Sequence, residues 1–311
     1  MESLSKMLIC LRDLEEVASL LGQARIFADI GEDTAFHLLH IQPGEPAESQ
    51  SPEPEPPVEY EPSKSPTPEE LRTAAAAAVP EIDAHRIHAE VRSGSRLVEI
   101  LRYAMDNEID LILMGRAGPG QGRHMPEGIL ARRVASKATC SVLLVRRDRP
   151  THAKRIIVPV RNSPCSANAL ETACRLAAHT GGAVCALNVF AVRSNYLKMG
   201  STLEEHTALM RQWAERECEE LLQNVNTSNV QVTVRCEPDL YLHPLPIILS
   251  HVRHSEADIL VIGARGRTGA AGVLLGRVTE QLMQDSQVPV LAVKKKGECL
   301  GVLKALLTLA G

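Results

Sequence analysis

The segment DLILMGRAG, Asp110 to Gly118, returns 148 residues later as DILVIGARG, Asp258 to Gly266. The register holds without a gap: Gly115 pairs with Gly263, Gly118 with Gly266, Gly128 with Gly276 and Val145 with Val293. Three glycines, an acidic residue ahead of an apolar run and the run itself do not coincide by chance. The chain is a tandem duplication, so any fold assigned to one copy must also suit the other. Its 311 residues are comfortable for two domains of about 150 residues each.

Each copy alternates short apolar runs with helical periodicity. In the second, RIIVPV (Arg155 to Val160) reads as a strand. Leu170, Ala173, Cys174 and Ala177 follow at i, i+3, i+4 and i+7, a helix closed by Gly181-Gly182. AVCALNVF (Ala183 to Phe190) is the second strand, and Met210, Trp213, Ala214, Cys218, Leu221 and Leu222 mark one face of a long helix. VQVTV (Val230 to Val234) is the third strand, Ile247 to His254 a helix, and ILVIG (Ile259 to Gly263) the fourth strand. A helix from about Gly276 and the strand VPVLAV (Val288 to Val293) close the copy. The first copy repeats the order from Met7–Leu11 to Ser141–Val145. This alternation predicts an α/β fold: two tandem, doubly wound parallel sheets with helices on both faces. With aromatics at only 3%, the core must be Leu, Val, Ile and Ala, which suits strands buried on both faces.

The expected boundaries are 1–147 for the first domain, 153–296 for the second and 297–311 for an amphipathic tail. In that tail Leu303, Leu306, Leu307 and Ala310 recur at helical spacing. Within the first copy, Pro43 to Glu69 is dense in Pro, Glu and Ser and reads as a disordered surface loop, with helix resuming over Leu71–Val79. A partner-binding acidic segment is the alternative for this stretch.

Several function classes are disfavoured. A net charge of −4 gives no global attraction to nucleic acid or anionic membranes. No run approaches the roughly 20 apolar residues of a membrane helix, and Met1 to Lys6 leads only into the short run Met7–Leu11, so no signal peptide is expected. The eight cysteines form no C-x-x-C pair and read as small buried hydrophobes in a reducing compartment. A cytoplasmic location follows as the expectation. Neither a G-x-S-x-G elbow nor a G-x4-G-K-[ST] loop is present. The histidines, with His37 and His40 flanking strand two, read as surface or edge residues. No catalytic set and no metal-ligand set is expected.

The strongest chemical signal is Gly263-x2-Gly266-x9-Gly276-Arg277-Val278-Thr279, which starts as a strand ends and finishes as a helix begins. Such a loop aims backbone N–H groups and a helix N-terminus at one point, a way to hold phosphate. In an open parallel sheet the ligand crevice lies at the carboxyl ends of the strands where strand order reverses. That puts the turn Val160–Ser163 beside Gly263. Arg265 and Arg267 make the loop basic, which favours an anion.

The stretch RGRTGAAGVLLGRVTEQLMQDSQVPVLAVKK resembles the signature segment of the universal stress protein family, whose motif runs G-x2-G-x9-G-[ST]. The likeness extends over nearly all of both copies. It implies a five-stranded sheet of order 3-2-1-4-5, a fold related to adenine nucleotide alpha-hydrolase-like proteins, and frequent dimerisation. Two fused copies leave both a homodimer and an internal pseudo-dimer open. In ATP-binding members the glycine loop takes the phosphates. Carried over, Gly263, Gly266 and Gly276 shape the cradle, Thr279 adds a hydroxyl, Val278 a backbone contact, and Val189 meets adenine by its backbone. Two positions depart from the pattern. Arg277 replaces the Ser/Thr after the third glycine, and either pairs with a phosphate or fills the site. Arg161 replaces the Asp expected after strand one, removing a nucleoside partner and adding positive charge. The first copy keeps Gly115, Gly118 and Gly128 but continues Ile129-Leu130-Ala131, without hydroxyls, and reads as degenerate. The resemblance implies a regulatory protein binding ATP through domain 2, with Mg2+ as a candidate companion ion. Alternatives are a nucleotide-free interaction module with an unknown protein partner, and a weak ATPase.

Overall fold

In the computed structural model, the structure describes residues 4–28, 33–42, 65–116, 126–146 (side chains from 129), 152–192, 202–264 and 275–295. They form two compact units. The first carries β1 (Lys6–Leu11), α1 (Glu15–Ala28), β2 (Ala35–Gln42), α2 (Pro68–Ala78), β3 (Ile87–Ser93), α3 (Arg96–Asp106), β4 (Leu111–Arg116), α4 (Pro126–Lys137) and β5 (Ser141–Arg146). The second carries β6 (Arg155–Pro159), α5 (Pro164–Thr180), β7 (Ala183–Ala191), α6 (Leu203–Gln223), β8 (Val232–Asp239), α7 (Pro244–His254), β9 (Ile259–Gly263), α8 (Arg277–Asp285) and β10 (Val290–Val293).

All pairings within each unit are parallel. In the first, β1 lies between β2 and β4, with β3 beyond β2 and β5 beyond β4, so the order is β3-β2-β1-β4-β5. The second repeats it as β8-β7-β6-β9-β10. The chain therefore reverses direction across the sheet between β1 and β4, and between β6 and β9. The central strands are apolar because helices cover both faces: Met7, Leu8 and Ile9 of β1 and Ile259, Leu260, Val261 and Ile262 of β9 are all buried.

The repeated acidic residue ahead of the fourth strand has a structural task in both units. Asp110 Oδ2 accepts the backbone N–H groups of Ser5 and Lys6 at 2.9 and 3.0 Å. Asp258 Oδ2 does the same for Lys154 and Arg155, at 3.0 and 2.8 Å. Each carboxylate thus ties the start of one strand to the entry of its neighbour.

Several elements differ from the sequence expectation. Strand β8 runs Val232–Asp239 rather than 230–234, because it pairs residue by residue with β7 from Val184↔Val232 to Ala191↔Asp239. Pairing overrides the polar composition of RCEPD, and Pro238 is tolerated because β8 has no further neighbour within its unit. Helix α2 begins at Pro68, inside the stretch read as a loop. Thr67 and Glu70 form a reciprocal capping box there, and Pro68 occupies the first turn. Residues 43–64 of that stretch, and the tail from 296 on, lie outside the described residues. Helix α7 starts at Pro244, again with proline in its first turn. On α6 the buried positions are His206, Ala214, Cys218 and Leu221, whereas Trp213 is 58% exposed. His37 and His40 do not flank β2 but lie within it, both buried.

The cysteines behave as apolar fillers: Cys140, Cys174, Cys218 and Cys236 are buried, and Cys10, Cys165 and Cys185 half-buried, all with free thiols. Burial pushes the Cys174 thiol up to about 11 and that of Cys236 up to about 12.

Candidate functional site

A cleft of about 300 Å³ opens at the carboxyl ends of β6 and β9, where the second sheet reverses its strand order. Arg161, Val189, Gly263, Gly276, Arg277, Val278 and Thr279 all line it. These are every described member of the residue set expected from sequence. Gly266, like Arg265 and Arg267, lies outside the described residues. Val160, Leu187, Ile248, Ile262 and Leu282 add an apolar stretch of wall. Pro244 and Ile248 of α7, and Ser163 and Ser166 at the start of α5, also line the cleft and were not singled out from sequence. The Ser163-Pro164 pair is a helix-start signal that could have drawn attention to the last two.

Strand β6 ends early, and that early end opens the backbone of β7. Leu187 O accepts from Val160 N at 2.9 Å on the β6 side, and Val192 N donates to Asp239 O at 2.9 Å on the β8 side. Backbone polar groups alternate sides along a strand, so odd-numbered residues here face β6 and even-numbered ones face β8. Val189 therefore turns its N–H and C=O toward β6, two residues past the last register pair, Pro159↔Leu187.

The turn after β6 is held by serines. Ser163 caps α5 by accepting from Ser166 N at 3.2 Å, and its hydroxyl donates to Ser166 Oγ at 3.1 Å. Ser166 Oγ accepts the N–H of Arg161 at 3.1 Å. The Arg161 backbone is fixed while its side chain stays exposed.

On the other lip, Gly263 closes β9 against this turn. A Cβ there would come within 2.7 Å of the Cys165 carbonyl oxygen, so the position admits only glycine without a shift of α5. Gly276 is the N-cap of α8 and has extended backbone (φ −63°, ψ 142°), with no side chain capping the helix. The first-turn N–H groups of a nine-residue helix thus begin at the cleft. The Thr279 hydroxyl donates to Gly263 O at 3.3 Å, so it pins α8 to the end of β9. This differs from the role expected for it: as a donor, the hydroxyl is already committed within the protein.

The first unit puts the same positions around its own switch point, in a cavity of only about 40 Å³. Arg96 stands where the second copy has Pro244, Met114 where it has Ile262, and Leu130 where it has Val278. Arg12 corresponds to Arg161, but its guanidinium is held by Glu16 at 2.5 Å, and Glu16 also accepts the Arg12 N–H at 3.0 Å. Bulkier side chains and an internal ion pair, with Glu16 buried and Arg12 half-buried, narrow the first site.

The model of the Universal stress protein family matches residues 5–146 and, a second time, 152–294. The chain belongs to the universal stress protein family. Among its relatives, Universal stress protein MJ0531 of Methanocaldococcus jannaschii is 28% identical over 144 residues, 46% of this chain and 82% of that protein. Two solved structures share the fold along most of the chain. One is the functionally unknown protein PA1789 from Pseudomonas aeruginosa PAO1, with a TM-score of 0.66 at 17% identity, covering 99% of this chain and 98% of that one. The other is a universal stress protein from Archaeoglobus fulgidus DSM 4304, with a TM-score of 0.57 at 19% identity, covering 93% and 98%. This universal stress protein thus carries two copies of the family's domain. Among the described residues, no helix is long and apolar enough to cross a membrane, and no group of His, Cys, Asp and Glu is arranged to hold a metal ion.

Proposed function

We propose that this universal stress protein is a cytoplasmic, nucleotide-responsive regulatory protein that binds an adenine nucleotide, ATP foremost, in the cleft of its second unit. The observation that carries the reading is the convergence of Arg161, Val189, Gly263, Gly276, Arg277, Val278 and Thr279 on one cavity. In this reading the outward N–H and C=O of Val189 meet the base edge, and Leu187 and Ile248 sandwich its apolar faces. The phosphates lie toward the uncapped N-terminus of α8, where backbone N–H groups and Arg277 receive them. Thr279 and Gly263 hold that helix in place.

The cleft does not suit a protein-bound magnesium ion. Its described lining includes no Asp or Glu, and the sequence from Ala264 to Thr279 contains none either. Among the described lining residues no Asp, Glu or His stands ready as a general base, so these residues favour binding over hydrolysis.

The test is a thermal unfolding series with ATP, ADP, AMP and cyclic AMP on the wild type and on Gly276→Glu. The φ and ψ of Gly276 (−63° and 142°) are open to any residue, and the variant, checked for folding by circular dichroism, places a carboxylate where the phosphates would lie. A ligand at 100 times its Kd stabilises by about 2.7 kcal/mol, worth on the order of 2–4 °C per kcal/mol. A shift with ATP that is absent in the variant supports the reading. No shift with any nucleotide at millimolar concentration overturns it. The second reading is then a nucleotide-free interaction module, favoured by Leu240, Tyr241 and Leu242 next to α7, which are 47%, 88% and 61% exposed.

A further inference from the structure

The charge around the second cleft is one-sided. Arg161 and Arg277 line it and are exposed, and among the described residues neither has a carboxylate partner. In the sequence between Gly263 and Gly276 the only charged residues are Arg265 and Arg267, and no acidic residue occurs from Ala264 to Thr279. The first unit shows the alternative arrangement: there the corresponding Arg12 is neutralised by Glu16. In the second unit Cys165 and Ser166 occupy the equivalent turn, and the Ser166 hydroxyl accepts from the Arg161 backbone N–H, not from its guanidinium. Copy two has thus kept the arginine without its internal counter-ion.

A site with arginines and no carboxylate inverts the usual arrangement for a metal–nucleotide complex. A divalent cation bridges phosphate oxygens to protein carboxylates, which need it for charge balance. Here the cation would meet positive side chains and find no carboxylate among the described lining residues. We propose that this cleft takes its nucleotide as the metal-free polyanion, with Arg161 and Arg277 neutralising the charge that magnesium otherwise neutralises. The proposal rests on the reading of the cleft as a nucleotide site and specifies the ionic form of the ligand. Guanidinium groups suit this role because they stay charged at any working pH and pair bidentately with phosphate.

The experiment is isothermal titration of the full chain with ATP at fixed ionic strength, once in excess EDTA and once in excess Mg2+. The expected result is a Kd in EDTA equal to or tighter than that in Mg2+, because the magnesium complex offers the arginines less negative charge. The variants Arg161→Asp and Arg277→Gln, checked for folding by circular dichroism, are expected to lose about tenfold or more in affinity in EDTA. Arg161→Asp is expected to recover part of that loss when Mg2+ is supplied. Wild-type binding that weakens about tenfold or more in EDTA overturns the metal-free form and leaves the nucleotide site standing. Absence of heat and of competition in both buffers overturns the nucleotide reading and this proposal together.

Discussion

The carbonyl oxygen of Cys165 lies 2.7 Å from the place a Cβ on Gly263 would occupy. That contact is between backbone atoms at the end of β9 and the first turn of α5, and no flexible side chain can yield. Glycine at the head of the loop is therefore needed for packing, whatever the cleft binds.

Gly263→Ala is expected to destabilise the second unit by about 1–3 kcal/mol, as overpacking of a close backbone contact does. Urea unfolding followed by fluorescence reads this directly, since Trp213 is the chain's single tryptophan and belongs to that unit. A change below about 0.5 kcal/mol, the scale of a neutral surface substitution, would mean that α5 gives way at no cost.

Asp110 and Asp258 each accept two backbone N–H groups, so removing either leaves two donors without their acceptor. Asp110→Ala is expected to speed amide exchange at Ser5 and Lys6, and Asp258→Ala at Lys154 and Arg155. Asp110→Ala is expected to cost about 1–3 kcal/mol, and Asp258→Ala less, because water reaches the exposed amides of Lys154 and Arg155. Hydrogen exchange with peptide resolution checks both, and unchanged exchange at these amides would show that water replaces the carboxylate without loss.

His37 makes the first unit sensitive to acid. Its Nδ1 lies 2.9 Å from the Tyr103 hydroxyl, and the His88 ring is 4.8 Å away. Burial, reinforced by His88 and Lys6 and opposed by Glu90, lowers His37 to about 4 from its ordinary 6.5. The unfolded chain thus takes up this proton at a higher pH than the folded one. Stability is full above about 6.5 and is lost as pH falls from there toward about 4. His40, lowered mainly by its own burial, acts in the same direction. A urea series from pH 7.5 downward, read by exchange of first-unit peptides, is expected to show this decline and a shallower one in His37→Gln. Equal slopes in the two proteins would remove His37 from the account.

The buried cysteines are expected to be inert in the native protein. Thiolate is the reactive form, and burial raises Cys174 to about 11 and Cys236 to about 12, so little thiolate exists at pH 8. Alkylation followed by peptide mass spectrometry is expected to leave Cys174, Cys218 and Cys236 unlabelled until urea unfolds the second unit. Native-state labelling of Cys236 would show that α6 opens locally away from β8.

The amino-acid sequence by itself determined the duplication, the alternation of strand and helix, and the positions that end up around the second cleft. These are properties of local periodicity and spacing. Apolar runs such as ILVIG and VLAV are strands because both faces must be buried, and the glycine spacing is readable wherever a strand meets a helix. Tertiary structure alone decided the features that depend on distant neighbours. β8 extends to Asp239 because β7 offers it a ladder, Trp213 faces solvent because Ala214, Cys218 and Leu221 take the buried stripe of α6, and His37 of β2 is enclosed by Tyr103 from helix α3. Pro244 and Ile248 join the cleft, and Thr279 commits its hydroxyl to Gly263, through contacts spanning many residues. The contrast between the two copies has the same origin. Arg12 and Arg161 read alike along the chain, and only the fold shows that the first is neutralised by Glu16 while the second faces an open cleft.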